Sequence, residues 1–331
     1  MNNKYLRIVL GLPLFMALFT GCSQADEYQG ITDDGAEKRL LGVTLLATPA
    51  TTPQTRAATV TALPTDSEVG FFLQAAAPDY AAVNNTKGVY KADESLWLPT
   101  DSIWLTRATA KLGVYYPYNA AQTTAGKLNL KAAVRTDDTK DLWSTRFEAN
   151  NKTKDIRLTL TQLYSRLSVT FVKMADTEYT GTAALTQLKL EGAGIYDGAT
   201  FAVIDSTYAY GGTTGYTATL NPAVTIKGTN AAADDATKVD LLLPPYGTLT
   251  GNITLTATVD TKEMKITIPK AKLGNTLAAG KQYNITVKLK PTALVLGSIQ
   301  TTDWDSQTPF NGDAEMEDPV PRPGSELMKI K

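Results

Sequence analysis

A two-residue alternation of apolar and polar side chains constrains this chain more than any other feature. In 252–259, Ile253, Leu255, Ala257 and Val259 alternate with Asn252, Thr254, Thr256 and Thr258. Tyr283, Ile285, Val287 and Leu289 repeat the pattern, as do Leu167, Val169 and Phe171. So do Leu112, Val114, Tyr116 and Tyr118, and Val239, Leu241 and Leu243 before Pro244-Pro245. A helix would scatter such positions around its axis, whereas a strand places them on one face. Between these runs lie turn signals at Asn84-Asn85, Asp137-Asp138, Gly211-Gly212 and Asp234-Asp235. Many short strands with regular turns, and no long amphipathic helix, predict an all-β chain of antiparallel sandwiches.

One segment breaks the register. Leu158 and Leu160 are even, while Leu167, Val169 and Phe171 are odd. A bulge or corner near Gln162–Tyr164 would absorb the extra residue. The polar stretch 135–154 just before it suggests a domain boundary near 155, give or take ten residues.

The first residues carry a different signal. Lys4 and Arg7 precede an apolar run from Ile8 to Phe19, followed by Thr20-Gly21-Cys22. This is the order of an export signal, and the run falls short of the about 20 apolar residues of a membrane-spanning helix. Cys22 is the only cysteine. Thr-Gly-Cys resembles a bacterial lipobox, which implies cleavage between Gly21 and Cys22 and lipidation of Cys22, palmitate included. The other reading is an ordinary signal peptide whose cysteine is incidental.

Composition narrows the chemistry. With Cys22 at the leader boundary, no disulfide can staple the fold, so stability must come from a buried core. The chain has no histidine. That removes Ser-His-Asp and Cys-His catalysis and the commonest zinc sites. Lys and Arg number 32 against 33 Asp and Glu, so no basic excess points to nucleic acid. No cofactor motif and no catalytic residue is identified.

Residues 23–38 are polar and read as a tether. Leu40-Leu41-Gly42-Val43-Thr44-Leu45-Leu46 is β-compatible, and a Pro/Thr-rich break leads to Thr55-Arg56-Ala57. An Arg in a Pro-flanked polar linker is an accessible protease site. Further along come Glu68-Val69-Gly70-Phe71-Phe72-Leu73, Lys111-Leu112-Gly113-Val114-Tyr115-Tyr116-Pro117-Tyr118 and Leu163-Tyr164-Ser165-Arg166-Leu167-Ser168-Val169. Late in the chain stand Tyr283-Asn284-Ile285-Thr286-Val287-Lys288-Leu289 and Ser298-Ile299 with Asp303-Trp304.

In this order, together with the lipobox, these segments resemble the fimbrillin family of Bacteroidales, the Mfa-like subunits of type V pili. The resemblance implies two transthyretin-like β-sandwich domains in tandem. It implies export as an outer-membrane lipoprotein at the cell surface, then cutting by an Arg-specific protease, here between Arg56 and Ala57. Cutting removes the first strand, roughly 40–48, and a neighbouring fimbrillin subunit fills the groove with its own strand. The organisation expected is a signal peptide (1–21), a removed pro-segment (22–56), sandwiches at 57–155 and 156–305, and a tail (306–331) that is a donor strand or an end touching nothing. The polymer would be a fimbria used for adhesion to an unidentified host or bacterial surface ligand. The length after Arg56 fits two sandwiches and favours shaft over tip.

Other constellations have plain readings. Asn311, Asp313, Glu315, Glu317 and Asp318 lack calcium-loop spacing and read as a solvated acidic loop, as does Asp33-Asp34-Gly35. Trp97, Trp104 and Trp143, with Tyr115, Tyr116 and Tyr118, read as core or as a sugar-stacking surface. Asp101-Ser102-Ile103 and Asp205-Ser206-Thr207 are similar to short bacterial O-glycosylation sites at Ser102 and Ser206. Three rivals stay open: a monomeric surface lipoprotein binding glycan or host protein, an uncleaved anchor subunit, and a carboxylate hydrolase. The lipobox reading makes one firm prediction. In a lipoprotein-processing host fed labelled palmitate, the chain takes up label and Cys22→Ser takes up none; label persisting in Cys22→Ser would refute it.

Overall fold

The computed structural model describes residues 38–47, 61–122, 126–137, 140–173, 179–227 and 236–304. These residues are all-β; a single 3-10 turn, Lys270–Leu273, is the one helical element named among them. The strands that the alternation predicts are present, and most bury the expected face; Ala110–Tyr116 buries Leu112 and Val114 but also Tyr115, leaves Tyr116 half-buried, and ends before Tyr118. Ile253–Val259 buries Ile253, Leu255, Ala257 and Val259, and Lys281–Leu289 buries Tyr283, Ile285, Val287 and Leu289.

The first sheet has eight strands. In spatial order they are β3 (Thr61–Ala62), β2 (Thr44–Ala47), β12 (Arg157–Gln162), β11 (Trp143–Ala149), β8 (Ala110–Tyr116), β4 (Val69–Leu73), β5 (Val83–Lys91) and β6 (Leu96–Pro99). A two-stranded ladder joins β1 (Arg39–Leu40) to β7 (Trp104–Leu105). Inside lies a core of Val69, Phe71, Leu112, Val114, Trp143 and Leu160, completed by Leu41, Val43 and Leu45.

A second core lies between two further sheets. One orders β10 (Ala133–Val134), β18 (Thr237–Leu243), β13 (Ser165–Lys173), β21 (Lys281–Leu289) and β22 (Leu294–Asp303). The other orders β17 (Tyr216–Thr225), β14 (Ala184–Glu191), β19 (Ile253–Val259) and β20 (Lys262–Ile268). Leu167, Val169 and Phe171 meet Leu188, Leu190 and Leu255 there. This is the face-to-face packing that alternating strands impose.

A further, three-stranded sheet of β16 (Thr207–Thr214), β15 (Tyr196–Ala202) and β9 (Lys127–Lys131) completes the architecture. Leu128, Leu130, Phe201 and Val203 join Phe72 and Tyr115 in a third apolar cluster. That is why β4 and β8 bury both faces: Phe71 points into the first core and Phe72 into the third.

The register shift is a corner. Strand β12 ends at Gln162 in the first sheet and β13 begins at Ser165 in another, so the chain changes sheet at Leu163–Tyr164. The boundary expected near 155 lies one strand earlier. Two ladders depart from the antiparallel pattern: β2 runs parallel to β12, and β13 to β21.

Two local features generate predictions. Tyr115 lies over Gly70, where an added Cβ would stand 1.9 Å from its ring. The ring is pinned, because its hydroxyl donates to Asn85 Oδ1 at 2.6 Å and accepts from the Asn119 N–H at 3.0 Å. Gly70→Ala should therefore destabilise by about 1–3 kcal/mol, read from the urea midpoint; an unchanged midpoint would mean the ring can move.

Asp260 opens the turn between β19 and β20. Its carboxylate accepts from the Thr182 hydroxyl, the Tyr179 hydroxyl at 2.7 Å and the Ala183 and Ala184 N–H groups at 2.9 Å each. Burial pulls its pKa up, but those four donors outweigh burial and hold it well below the usual carboxylate range. A depressed folded pKa stabilises above the unfolded value of about 3.9 and loses that contribution as pH falls through the folded one. The stability gap between the natural chain and Asp260→Asn should be constant from neutral pH to about 5 and shrink below about 4. A gap independent of pH would show that the carboxylate charge plays no part.

Candidate functional site: the N-terminal strand in the first core

Residues 39–47 follow one extended path between two edges of the first sheet. At its start, β1 runs antiparallel to β7, pairing Arg39 with Leu105 and Leu40 with Trp104. The Leu41 N–H donates to the Ile103 carbonyl at 2.9 Å. Val43 and Trp97 exchange both main-chain bonds, at 3.2 and 2.9 Å, which ties the path to β6. The partner then changes. The Thr44 N–H donates to the Ile156 carbonyl at 2.8 Å, and β2 continues in parallel register with β12, Leu45 opposite Leu158 and Leu46 opposite Thr159. On its other side β2 takes β3, with Leu46 opposite Ala62. The path thus bonds β6 at one end of the sheet and β12 further along it.

The sequence dictates this seating. Leu41, Val43 and Leu45 are fully buried, while Gly42, Thr44 and Leu46 between them are half-buried. Three such side chains contribute roughly 5–9 kcal/mol gross, an upper bound. Gly42 fits a tight spot, because a Cβ there would stand 2.9 Å from both Leu96 Cδ1 and Leu98 Cδ2. Charge plays a small role: the Arg39 guanidinium donates to the Thr153 carbonyl at the mouth of the groove.

A second feature surrounds Trp304, the last described residue. Trp304 is buried, its main-chain N–H donating to the Gly280 carbonyl at 2.9 Å. The guanidinium groups of Arg135 and Arg166 lie 5.9 and 5.7 Å from the centre of its ring. Arg135 grips Asp141 with two bonds of 2.9 Å, and Arg166 pairs with Asp240. Burial pulls the Asp240 carboxyl up, but Arg166 outweighs it and holds the group below its ordinary value.

The site residues expected from sequence fall in different places. Gly21, Cys22, Arg56, Ala57 and the tail beyond Trp304 lie outside the described residues, as do the acidic sets at 33–34 and 311–318. Arg56 falls in the connection 48–60 between β2 and β3, which are paired neighbours. Ser102 is exposed beside Ile103, whose carbonyl accepts from Leu41. Ser206 is exposed in the turn between β15 and β16, at φ 54°. Trp97, Trp143 and Tyr115 are core, and only Trp104 among the three tryptophans is exposed, at 51%. These aromatics therefore form no common surface. Among the described residues no three acidic, His or Cys side chains converge to hold a metal ion. None of their helices is long and apolar enough to cross a membrane.

Sequence reasoning missed the partners of the N-terminal strand, because Trp97, Ile103 and Ile156 meet it through main-chain atoms that no side-chain pattern announces. It also missed Arg135 and Arg166 around Trp304. Only the Trp304 position at the end of the last strand hinted at a role.

Comparison with known proteins follows from this geometry. The chain is similar in fold to the crystal structure of a candidate cell adhesion protein from Bacteroides uniformis, at 18% identity and a TM-score of 0.52, over 80% of this chain and 99% of that one. A candidate cell adhesion protein from Bacteroides ovatus matches at 13% identity and a TM-score of 0.54, over 81% and 98%. No curated protein matches by sequence. The model of the fimbrillin-like family matches residues 55–304, a span that begins just before Arg56 and ends at Trp304, and the chain belongs to that family.

Proposed function

We propose that this protein is a structural subunit of a surface fimbria, without a catalytic role, that polymerises by protease-triggered strand exchange and serves adhesion. The observation that carries the reading is the seating of Leu41, Val43 and Leu45. They complete the first core from a segment that precedes Arg56 in the chain, whereas β3 follows it. Hydrolysis of the Arg56–Ala57 bond by an Arg-specific protease leaves β3 attached to the body and β2 held by non-covalent contacts alone. Departure of residues 39–47 then uncovers the apolar bed of those three side chains. It also frees the main-chain groups of Trp97, Ile103, Ile156 and β12 that had paired with them. Unpaired strand edges of this kind are templates for another chain's strand.

The incoming strand comes from a neighbouring fimbrillin subunit, and head-to-tail donation that does not close grows a filament. Before cleavage, lipid on Cys22 holds the precursor at the outer membrane. The two principal cores are read as tandem transthyretin-like sandwiches that divide near 155, give or take ten residues, with β12 completing the first, and Ser102 and Ser206 as exposed candidates for O-glycosylation.

The experiment uses the secreted form without lipid. Treatment with an Arg-specific protease should give a new N-terminus at Ala57, and the product run unboiled on a denaturing gel should show a ladder of multimers. Arg56→Ala should remain intact and monomeric. Absence of cleavage at Arg56 in the folded chain, or cleavage without multimers, would overturn the polymerising reading.

A further inference from the structure

Near Trp304, the last described residue, runs a groove of about 560 Å³. Its walls combine Lys131 and Lys140 with Tyr164, Leu142, Leu242 and the amide side chain of Asn129. Among the described residues no carboxylate lines it. Neither lysine has an ion pair among the described residues; the Lys140 ammonium donates only to the Val134 carbonyl, at 3.2 Å. Arg135 nearby is already matched by Asp141. The groove therefore presents net positive charge above an apolar floor.

Trp304 is adjacent. Leu142, Tyr164 and Leu242 belong to the same buried cluster as Trp304. The Trp304 N–H donates to the Gly280 carbonyl, and the Gly280 N–H donates to the Tyr164 carbonyl, both at 2.9 Å. The sequence that follows is Asp305-Ser306-Gln307-Thr308-Pro309-Phe310-Asn311-Gly312-Asp313-Ala314-Glu315-Met316-Glu317-Asp318. It holds five acidic residues and no basic one. Residues 305–312 span up to about 26–29 Å when extended, enough to carry the acidic run along the groove.

We propose that residues 311–318 dock in the same molecule in the groove lined by Lys131 and Lys140. Asp313, Glu315, Glu317 and Asp318 face the two ammonium groups, and Met316 covers the half-buried apolar wall of Pro117, Tyr118 and Ala133. A short tether gives the segment a local concentration on the order of millimolar, so modest attraction suffices. Docking would fix the starting point of Pro319 to Lys331, whether or not that end donates a strand. The inference does not depend on cleavage at Arg56.

The secreted form beginning at Ser23 has no native cysteine, which makes disulfide trapping clean. Ala121→Cys, in the groove wall, is combined with Ala314→Cys, which leaves every acid in place. The control pairs Ala314→Cys with Thr219→Cys, exposed on β17. The chain is kept uncut, so a failure of strand exchange cannot affect the result. A disulfide within the monomer, several-fold above the control in yield, is expected. Its yield should fall several-fold in Lys131→Glu/Lys140→Glu, and in the unreversed pair on raising ionic strength from about 0.05 to about 0.5 M, where screening is short-ranged. The salt arm stands should the reversed protein fail to fold. Yield equal to the control, disulfides only between chains, or indifference to both charge reversal and salt would each overturn the proposal.

Discussion

A sheet must end somewhere, and its last strand exposes a row of main-chain donors and acceptors. In the first sandwich this constraint organises everything else. Strand β6 and the strands at the opposite end of the eight-stranded sheet are brought together by residues 39–47, which bond Trp97 at one point and β12 at the next. The same residues plug the core with Leu41, Val43 and Leu45. Edge closure and core completion are thus carried out by one nine-residue path. Neither can be lost without the other, because side chains and main chain leave together.

Much of this fold is legible because alternation is a local property. The faces of β19 and β21 could be read directly, since each side chain's direction follows from its parity. The odd-numbered burial of Leu41, Val43 and Leu45 was equally open to reading. What stayed hidden is non-local. The parallel pairing of β2 with β12 joins residues more than a hundred positions apart, and no pattern in either strand specifies its direction. The break in parity at 162–164 signalled a corner but not that the chain changes sheets there.

Burial on both faces was a second blind spot. Tyr115 and Phe72 occupy the positions that alternation assigns to solvent, and the small sheet of β9, β15 and β16 supplies the cover. The chain uses glycine to admit this close packing: at Gly113 a Cβ would stand 2.2 Å from Val203 Cγ1. Gly70 and Gly113 fall within two of the sequence segments that carried the family resemblance. Those segments are therefore informative for a physical reason: Gly113 marks where the backbone approaches Val203 beside the small sheet, and Gly70 leaves room for the Tyr115 ring of the adjacent strand. Trp304 is comparable: it lies just past β22 and is core, beside Arg135, which follows β10, and Arg166 of β13.

The proposed assembly has an energetic requirement that the geometry clarifies. A resident strand joined to the body through the 48–60 connection competes with any incoming strand at an effective concentration on the order of millimolar. A neighbour's strand present at micromolar concentration starts about a thousandfold behind, or about 4 kcal/mol, before contact quality is compared. Better side chains alone would have to supply that difference against a bed already filled by Leu41, Val43 and Leu45. Cutting between β2 and β3 removes the advantage without altering a single contact in the groove. Under the proposed mechanism, exchange is then decided by complementarity, and the covalent connection, rather than the strand's own packing, would keep the precursor monomeric.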